Sequence, residues 1–265
     1  MNLATLKIEW LKVKNYPTFW VMSLLFSVLL TVFYILTGLG VINAGAGGLT
    51  IFGKADSFAV VWDDLCFFAS YFVIALAILM AIVTTNEFQY RTNRQNIIDG
   101  WTRMQFYHGK WQLLLAICLA TTIFVFVLGL VAGMLSGLSI SGFTDNIIKL
   151  LWLFLLCVNY LGFALLLSLI FKRSGLTIGI LMFYSMIIEA ILHTIFLFKL
   201  KFPVGDLFLP LQASDELLPL GASKMLRMAV PSDFNPEAWH YATATMGWII
   251  LYYIAGRIKL VKSDW

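Results

Sequence analysis

Glu87-Phe-Gln-Tyr-Arg91-Thr-Asn-Arg94-Gln-Asn-Ile-Ile-Asp99-Gly-Trp-Thr-Arg103-Met-Gln-Phe-Tyr-His-Gly-Lys110 is a polar break in an otherwise apolar sequence. Residues 65–86 before it and 111–144 after it carry no charge. A hydrocarbon core of ~30 Å is crossed by roughly 20 apolar residues in a helix, so a membrane helix enters this break and another leaves it. A bare turn would need only a few residues, whereas this stretch has room for a helix and carries four cationic and two acidic residues. Residues 87–98 contain neither Gly nor Pro, so the preceding helix is expected to run on through them. Asp99-Gly100 signals a turn, and Thr102 with Gln105 has the spacing of a capping box that starts the next helix. The expected shape is helix, sharp turn, helix, with Ile97, Ile98 and Trp101 near the tip. Such a tip suits a docking surface, where apolar anchors give affinity and charges set register. An ordinary basic loop against anionic lipid headgroups has the same composition.

Working outward, the composition fixes the class. The 265 residues are 61% hydrophobic and 12% charged, with a mean hydropathy of +0.88. No water-soluble core hides so much apolar surface. Charge-free runs occupy residues 15–53, 65–86, 111–144, 150–171 and 238–256, and 174–198 contains only Glu189. Each run holds one span, because Gly-rich stretches such as 45–48 and 133–142 make the two longer runs a helix plus a loop. The fold class is therefore an all-α membrane protein with six transmembrane helices, a single transmembrane domain over residues 1–265. A transmembrane barrel would show short alternating segments, and none appear. The first apolar run far exceeds a signal-peptide core and follows a charged prelude, so no cleavable leader is expected. Cys66, Cys118 and Cys157 lie in or beside spans without metal-ligand spacing and are expected to be packing residues.

Charge asymmetry gives the orientation. With six spans both termini share a side, and that side holds 12 of the 18 Lys and Arg residues. By the positive-inside rule it is cytoplasmic, so a cell (inner) membrane protein with both termini inside is expected. The net charge of +4 then reports topology, and no nucleic-acid partner is implied. Residues 1–16 place Leu3, Leu6, Trp10 and Val13 on one helical face, an expected N-terminal amphipathic helix at the interface, ended by Tyr16-Pro17. Residues 199–237 hold five of the six prolines and form the expected extracytoplasmic segment, in which Ser214 is placed to cap a short helix.

Glu189 and His193, spaced i, i+4, share one face of the fifth span. An ionisable group at that depth is costly and is by default a candidate for function. The alternatives are a substrate or proton site, or a mutually satisfied pair, with Asn159 or a Ser as a further partner, that only glues helices together. Two ligands are too few for zinc, so no metal site is expected.

The six-span layout, the interface helix and the polar break together resemble the permease subunit of type-2 ATP-binding-cassette (ABC) exporters. In that family an acidic residue ends span two, followed by a Thr-x-Arg-like element, a Pro or Gly, a Ser-Arg-like pair and a Lys opening span three. Glu87, Thr92, Arg94, Gly100, Thr102-Arg103 and Lys110 match those places, with Thr102 where Ser is common. Glu9-Trp-Leu-Lys12 and residues 257–264 are similar to the family's ends, and small self-immunity exporters for peptide antibiotics form a similar branch. The resemblance implies a cytoplasmic coupling helix within residues 87–110, with Glu87, Arg91, Thr92, Arg94, Ile97, Ile98, Asp99, Gly100, Trp101 and Arg103 as docking residues. It also implies a separate cytoplasmic ABC ATPase in two copies, which binds the ATP and magnesium, and a second permease subunit, identical or not. Transport would be alternating access.

No GxxxxGK[ST] loop occurs in the sequence, so the chain is expected to bind no cofactor and not to be an enzyme. HExxH and GxSxG are absent as well. Two other function classes fit the composition: an ion-coupled secondary carrier using Glu189 and His193, and a non-transporting membrane scaffold.

Overall fold

The computed structural model describes residues 3–38, 45–46, 49–50, 55–98, 100–139, 142–219 and 236–262. Six helices among them are long and apolar enough to cross a membrane. In chain order these are α2 (Pro17–Gly38), α3 (Phe58–Gln89), α5 (Arg103–Leu135), α6 (Ile148–Phe171), the fifth span Ser174–Lys199 and α10 (Ala238–Lys262). Two short helices lie outside the spans near the polar break: α1 (Leu3–Lys14) and α4 (Thr92–Ile98). Among the described residues the fold is all-α apart from a small antiparallel hairpin pairing Gly45–Ala46 with Leu49–Thr50.

The bundle is built around α6, which packs on α3, α10 and α5. Most of α6 is buried, with Leu151 and Ile170 among its few exposed apolar residues, whereas α2 leaves Trp20, Leu24, Val28 and Ile35 exposed, the side suited to lipid. Lipid offers little hydrophobic drive between helices, so close approach must come from small residues. Gly129 and Gly133, one turn apart on α5, supply it. A Cβ at either would overlap the ring of Trp62 or Phe58 on α3. Trp62 Nε1 donates to the Phe143 carbonyl at 2.9 Å, closing the end of the bundle remote from the polar break.

At the other end, α1, the break, the α6–fifth-span turn and the close of α10 come together. Arg103 Nη1 donates to the Val261 carbonyl at 2.8 Å. Gln89 Nε2 donates to Ser174 Oγ at 3.2 Å, and Lys172 Nζ stands 5.5 Å over the Phe88 ring. An even number of crossings follows from this grouping. Lys172, at φ 56°, ends α6 in left-handed geometry.

The fifth span is not a uniform helix. It comprises α7 (Ser174–Phe183), a π-turn Tyr184–Ile188, α8 (Glu189–Thr194) and a second π-turn Ile195–Lys199. Such insertions often mark functional positions, and here they bracket Glu189 and His193. Past it, a 3₁₀ turn Pro203–Phe208 and α9 (Gln212–Asp215) fold back into the bundle, burying Leu209, Leu211, Leu217 and Leu218.

Three sequence expectations need correcting. The helix entering the polar break does not run on: Arg91 adopts a left-handed conformation, φ 58°, and α4 is a separate turn-delimited helix although no Gly or Pro breaks it. Ser214 lies inside α9 rather than capping it, its Oγ donating to the Leu211 carbonyl at 2.7 Å. And α1 turns Thr5, Glu9 and Val13 inward while Trp10 is 42% exposed. Trp10 and Val13, expected on one face, thus have different surroundings, and the outward side of α1 carries Ile8, Trp10 and Leu11.

Candidate functional site

Two constellations stand out. The first lies beneath the polar break and begins with the inward face of α1. Glu9 is wholly buried, as is Lys110 in the second turn of α5. Lys110 Nζ donates to Glu9 Oε2 and, at 2.7 Å, to Glu87 Oε1 at the end of α3. Lys12 Nζ donates to Glu9 Oε1 at 2.8 Å and to Glu87 Oε1 at 3.2 Å, and stands 5.4 Å from the Trp101 ring centroid. Gly109 makes room for this: the Glu9 side chain lies 3.3 Å from where its Cβ would be. Two carboxylates and two ammonium groups balance, which a buried set requires, because an unpaired buried charge costs several kcal/mol. Burial alone would push the Glu9 carboxyl up, but Lys110 and Lys12 hold it below its ordinary value. Thr5 Oγ1, donating to Gln112 Oε1 at 2.7 Å, adds a neutral bond on the same face. The cluster thus rivets α1, α3 and α5 together.

Above this rivet sits the tip. Gly100 takes φ 93°, a geometry that favours glycine. Thr102 caps α5 in a reciprocal box, its Oγ1 accepting from the Gln105 N–H at 3.2 Å while Gln105 Oε1 accepts from the Thr102 N–H at 2.8 Å. Ile98 is 76% and Tyr90 74% exposed. Arg91, Thr92, Arg94, Gly100 and Arg103 are exposed too, while Ile97 and Trp101 are half-buried. Asp99 lies outside the described residues. Glu87 departs from expectation: it is buried in the ionic cluster, because the two lysines that neutralise it come from α1 and α5 below the tip. It supports the tip and is not part of the tip's surface.

The second constellation lies in the far half of the fifth span and is organised by the segment that folds back into the bundle after it. Glu189 is 1% exposed. Its Oε1 accepts from the Leu211 N–H at 2.8 Å and its Oε2 from the Gln212 N–H at 3.1 Å. These are N–H groups at the start of α9 that would otherwise lack partners. Asn159 Nδ2 donates to the Pro210 carbonyl at 2.8 Å and to Ser214 Oγ at 2.9 Å. Tyr160 donates its hydroxyl to the Asp215 carboxylate at 2.9 Å. His193 Nδ1 lies 3.0 Å from Asp206 Oδ1 and 3.8 Å from Glu216 Oε1.

Glu189 and His193 do share a face, yet their partners lie on the re-entrant segment rather than on each other. Asn159 holds that same segment. Beside it opens a cleft of about 550 Å³ lined by Tyr71 and Ile74 of α3, Tyr160 of α6, Met186 and His193 of the fifth span, and Asp215 and Glu216.

Sequence reasoning missed the partners. Lys12 and Lys110 look like ordinary boundary cations, and Glu9 hides in a basic helix. Its i, i+4 spacing from Thr5 and Val13 was the available signal, but the choice of face went to the apolar residues. Asp215 and Glu216 read as the first acids of a short helix begun by Ser214, and Asp206 carried no signal of its own. The three cysteines are free and buried, as expected.

A family model described as ABC-2 family transporter protein matches residues 5–188, which takes in the ionic cluster, the tip and the fifth span as far as Ile188, one residue short of Glu189. No match to a curated protein accompanies it.

Proposed function

The chain belongs to the ABC-2 family of transporter proteins, and from that premise we propose that it is the permease subunit of an ATP-driven exporter in the cell membrane. The observation that carries this reading is the exposed tip formed by Tyr90, Arg91, Arg94 and Ile98, standing directly on the Glu9–Lys110–Glu87 rivet. An ATPase grasping that tip on the cytoplasmic side moves α1, α3 and α5 as one body, because pulling any of the three away uncovers a buried charge. A surface of exposed Ile and Tyr rimmed by Arg has the make-up of an interface anchor. ATP and magnesium belong to that partner, present in two copies with two permease subunits, and hydrolysis opens and closes the cleft beside Tyr71 and Tyr160 to alternate sides. The ion-coupled reading has less support, since both Glu189 oxygens are occupied by backbone N–H groups.

The test is purification of the tagged chain from its native membrane with the partner left untagged. Co-elution of an ATPase whose association is weakened by Ile98→Asp supports the proposal. Transport by the chain alone in liposomes, driven by an ion gradient without ATP, overturns it.

A further inference from the structure

We propose that His193, Asp206 and Glu216 form a binding site for a divalent transition-metal ion, best matched by Zn²⁺, that fastens the re-entrant segment to α8. The three side chains come from three different elements, yet one donor atom from each lies within 4.8 Å of the other two. Both carboxylates converge on the same imidazole nitrogen, Asp206 Oδ1 at 3.0 Å and Glu216 Oε1 at 3.8 Å. A single N–H proton bonds one acceptor well. A metal ion takes the nitrogen and both oxygens together. With metal–ligand bonds of about 2.0–2.2 Å, tetrahedral donors stand roughly 3.3 Å apart, a spacing that the two measured distances bracket.

The donor set selects the ion. One imidazole with two carboxylates is a nitrogen–oxygen set of the kind zinc accepts, with a place left for water. Magnesium and calcium prefer oxygen alone, and Cu(I) prefers sulfur. The shell behind the donors is partly built: Gln212 Nε2 donates to Glu216 Oε1 at 2.9 Å, and Asp206 is wholly buried in its 3₁₀ turn. An access route exists as well. The His193 side chain is 25% exposed and, with Glu216, lines the cleft. At ~1.5 Å per residue, His193 lies roughly 28 Å along the helix from Ser174. That is close to the membrane face opposite the polar break, so an ion reaches it without crossing hydrocarbon. Ligand count, spacing, support and access are the checkable requirements of such a site, and the site stands whether or not the chain proves to be an exporter.

The experiment is calorimetric titration of ZnCl₂ into the full-length protein in detergent after chelator treatment, with His193→Gln, Glu216→Gln and His240→Gln alongside. Expected are saturable binding by the wild type near one equivalent per chain, loss of at least about tenfold in affinity in the first two variants, and unchanged binding in His240→Gln. Elution of each variant as a single symmetric peak controls for folding. Zinc-edge absorption of the loaded wild type should show one imidazole among nitrogen and oxygen neighbours. Absence of saturable binding below ~100 μM, or binding that His193→Gln and Glu216→Gln leave unchanged, overturns the proposal, the hydrogen-bonded His–Asp contact then being the whole of the arrangement.

Discussion

Lys110→Met removes the wholly buried one of the two cations that bridge Glu9 and Glu87 in the cluster under the tip. Met is close in shape, so the packing around the side chain survives while the charge goes. Glu9 and Glu87 then share only Lys12, at 2.8 Å and 3.2 Å. Water does not replace the lost partner readily, because Lys110 and Glu9 are wholly buried. Two unit charges about 4 Å apart interact by ~4 kcal/mol at an effective dielectric of 20, and breaking a buried pair by deleting one partner costs about 3–5 kcal/mol. At roughly 2–4 °C per kcal/mol for a chain of this size, the melting temperature in detergent should fall by roughly 10 °C. Glu9→Gln added to Lys110→Met leaves Glu87 balanced by Lys12 and should recover a large part of that loss, a coupling that a double-mutant cycle reads directly. A Lys110→Met protein that melts within about 2 °C of wild type, or a double variant less stable than the single one, would refute the balanced-cluster argument.

Other consequences are open to measurement. Glu189→Gln keeps one acceptor but points an amide N–H₂ at the N–H of Leu211 or Gln212, so a loss of about 1–3 kcal/mol should appear in thermal unfolding; an unchanged midpoint contradicts the capping role. Gly129→Leu drives a side chain into the Trp62 ring and should destabilise by at least about 1–3 kcal/mol, with Trp62→Ala in the same chain relieving part of it. Because Glu9 is held below its ordinary value of 4.5, its stabilisation is complete above that value and is lost only as pH falls through the lower folded one. The difference in melting temperature between wild type and Glu9→Gln should therefore stay flat from about pH 5.5 to 8, and a decline within that window contradicts it. A single cysteine replacing Gln95 should resist an impermeant thiol reagent in intact cells while one replacing Leu135 reacts; the reverse pattern inverts the orientation.

Much of this was readable in advance, for identifiable reasons. The spans follow from length and hydropathy alone, and the capping box at Thr102 and Gln105 is a local signal with local cause. Arg91 shows where local reasoning stops: it takes a left-handed turn, φ 58°, although arginine has no preference for that geometry. Glu87 shows the same limit at the site. Its exposure depended on Lys12 and Lys110, lying 75 and 23 residues away, and no periodicity announces such partners. Glu189 and His193 share a face as their spacing implies, but their partners come from a segment that the prolines place outside the membrane. Pro210, Leu211 and Ser214 fold back onto Asn159 and Glu189, contacts across 22 to 55 residues that no local pattern announces.

The central claim is that the tip above the Glu9–Lys110–Glu87 cluster is where an ATPase engages, and site-specific photo-crosslinking tests it most directly. A photoreactive residue placed at Ile98, 76% exposed at the tip, is compared with one at Leu135, 84% exposed at the remote end of α5. The account predicts a covalent adduct with a nucleotide-hydrolysing subunit from Ile98 and none from Leu135. An adduct with that subunit from Leu135, or none from Ile98 while the subunit co-purifies, would contradict it.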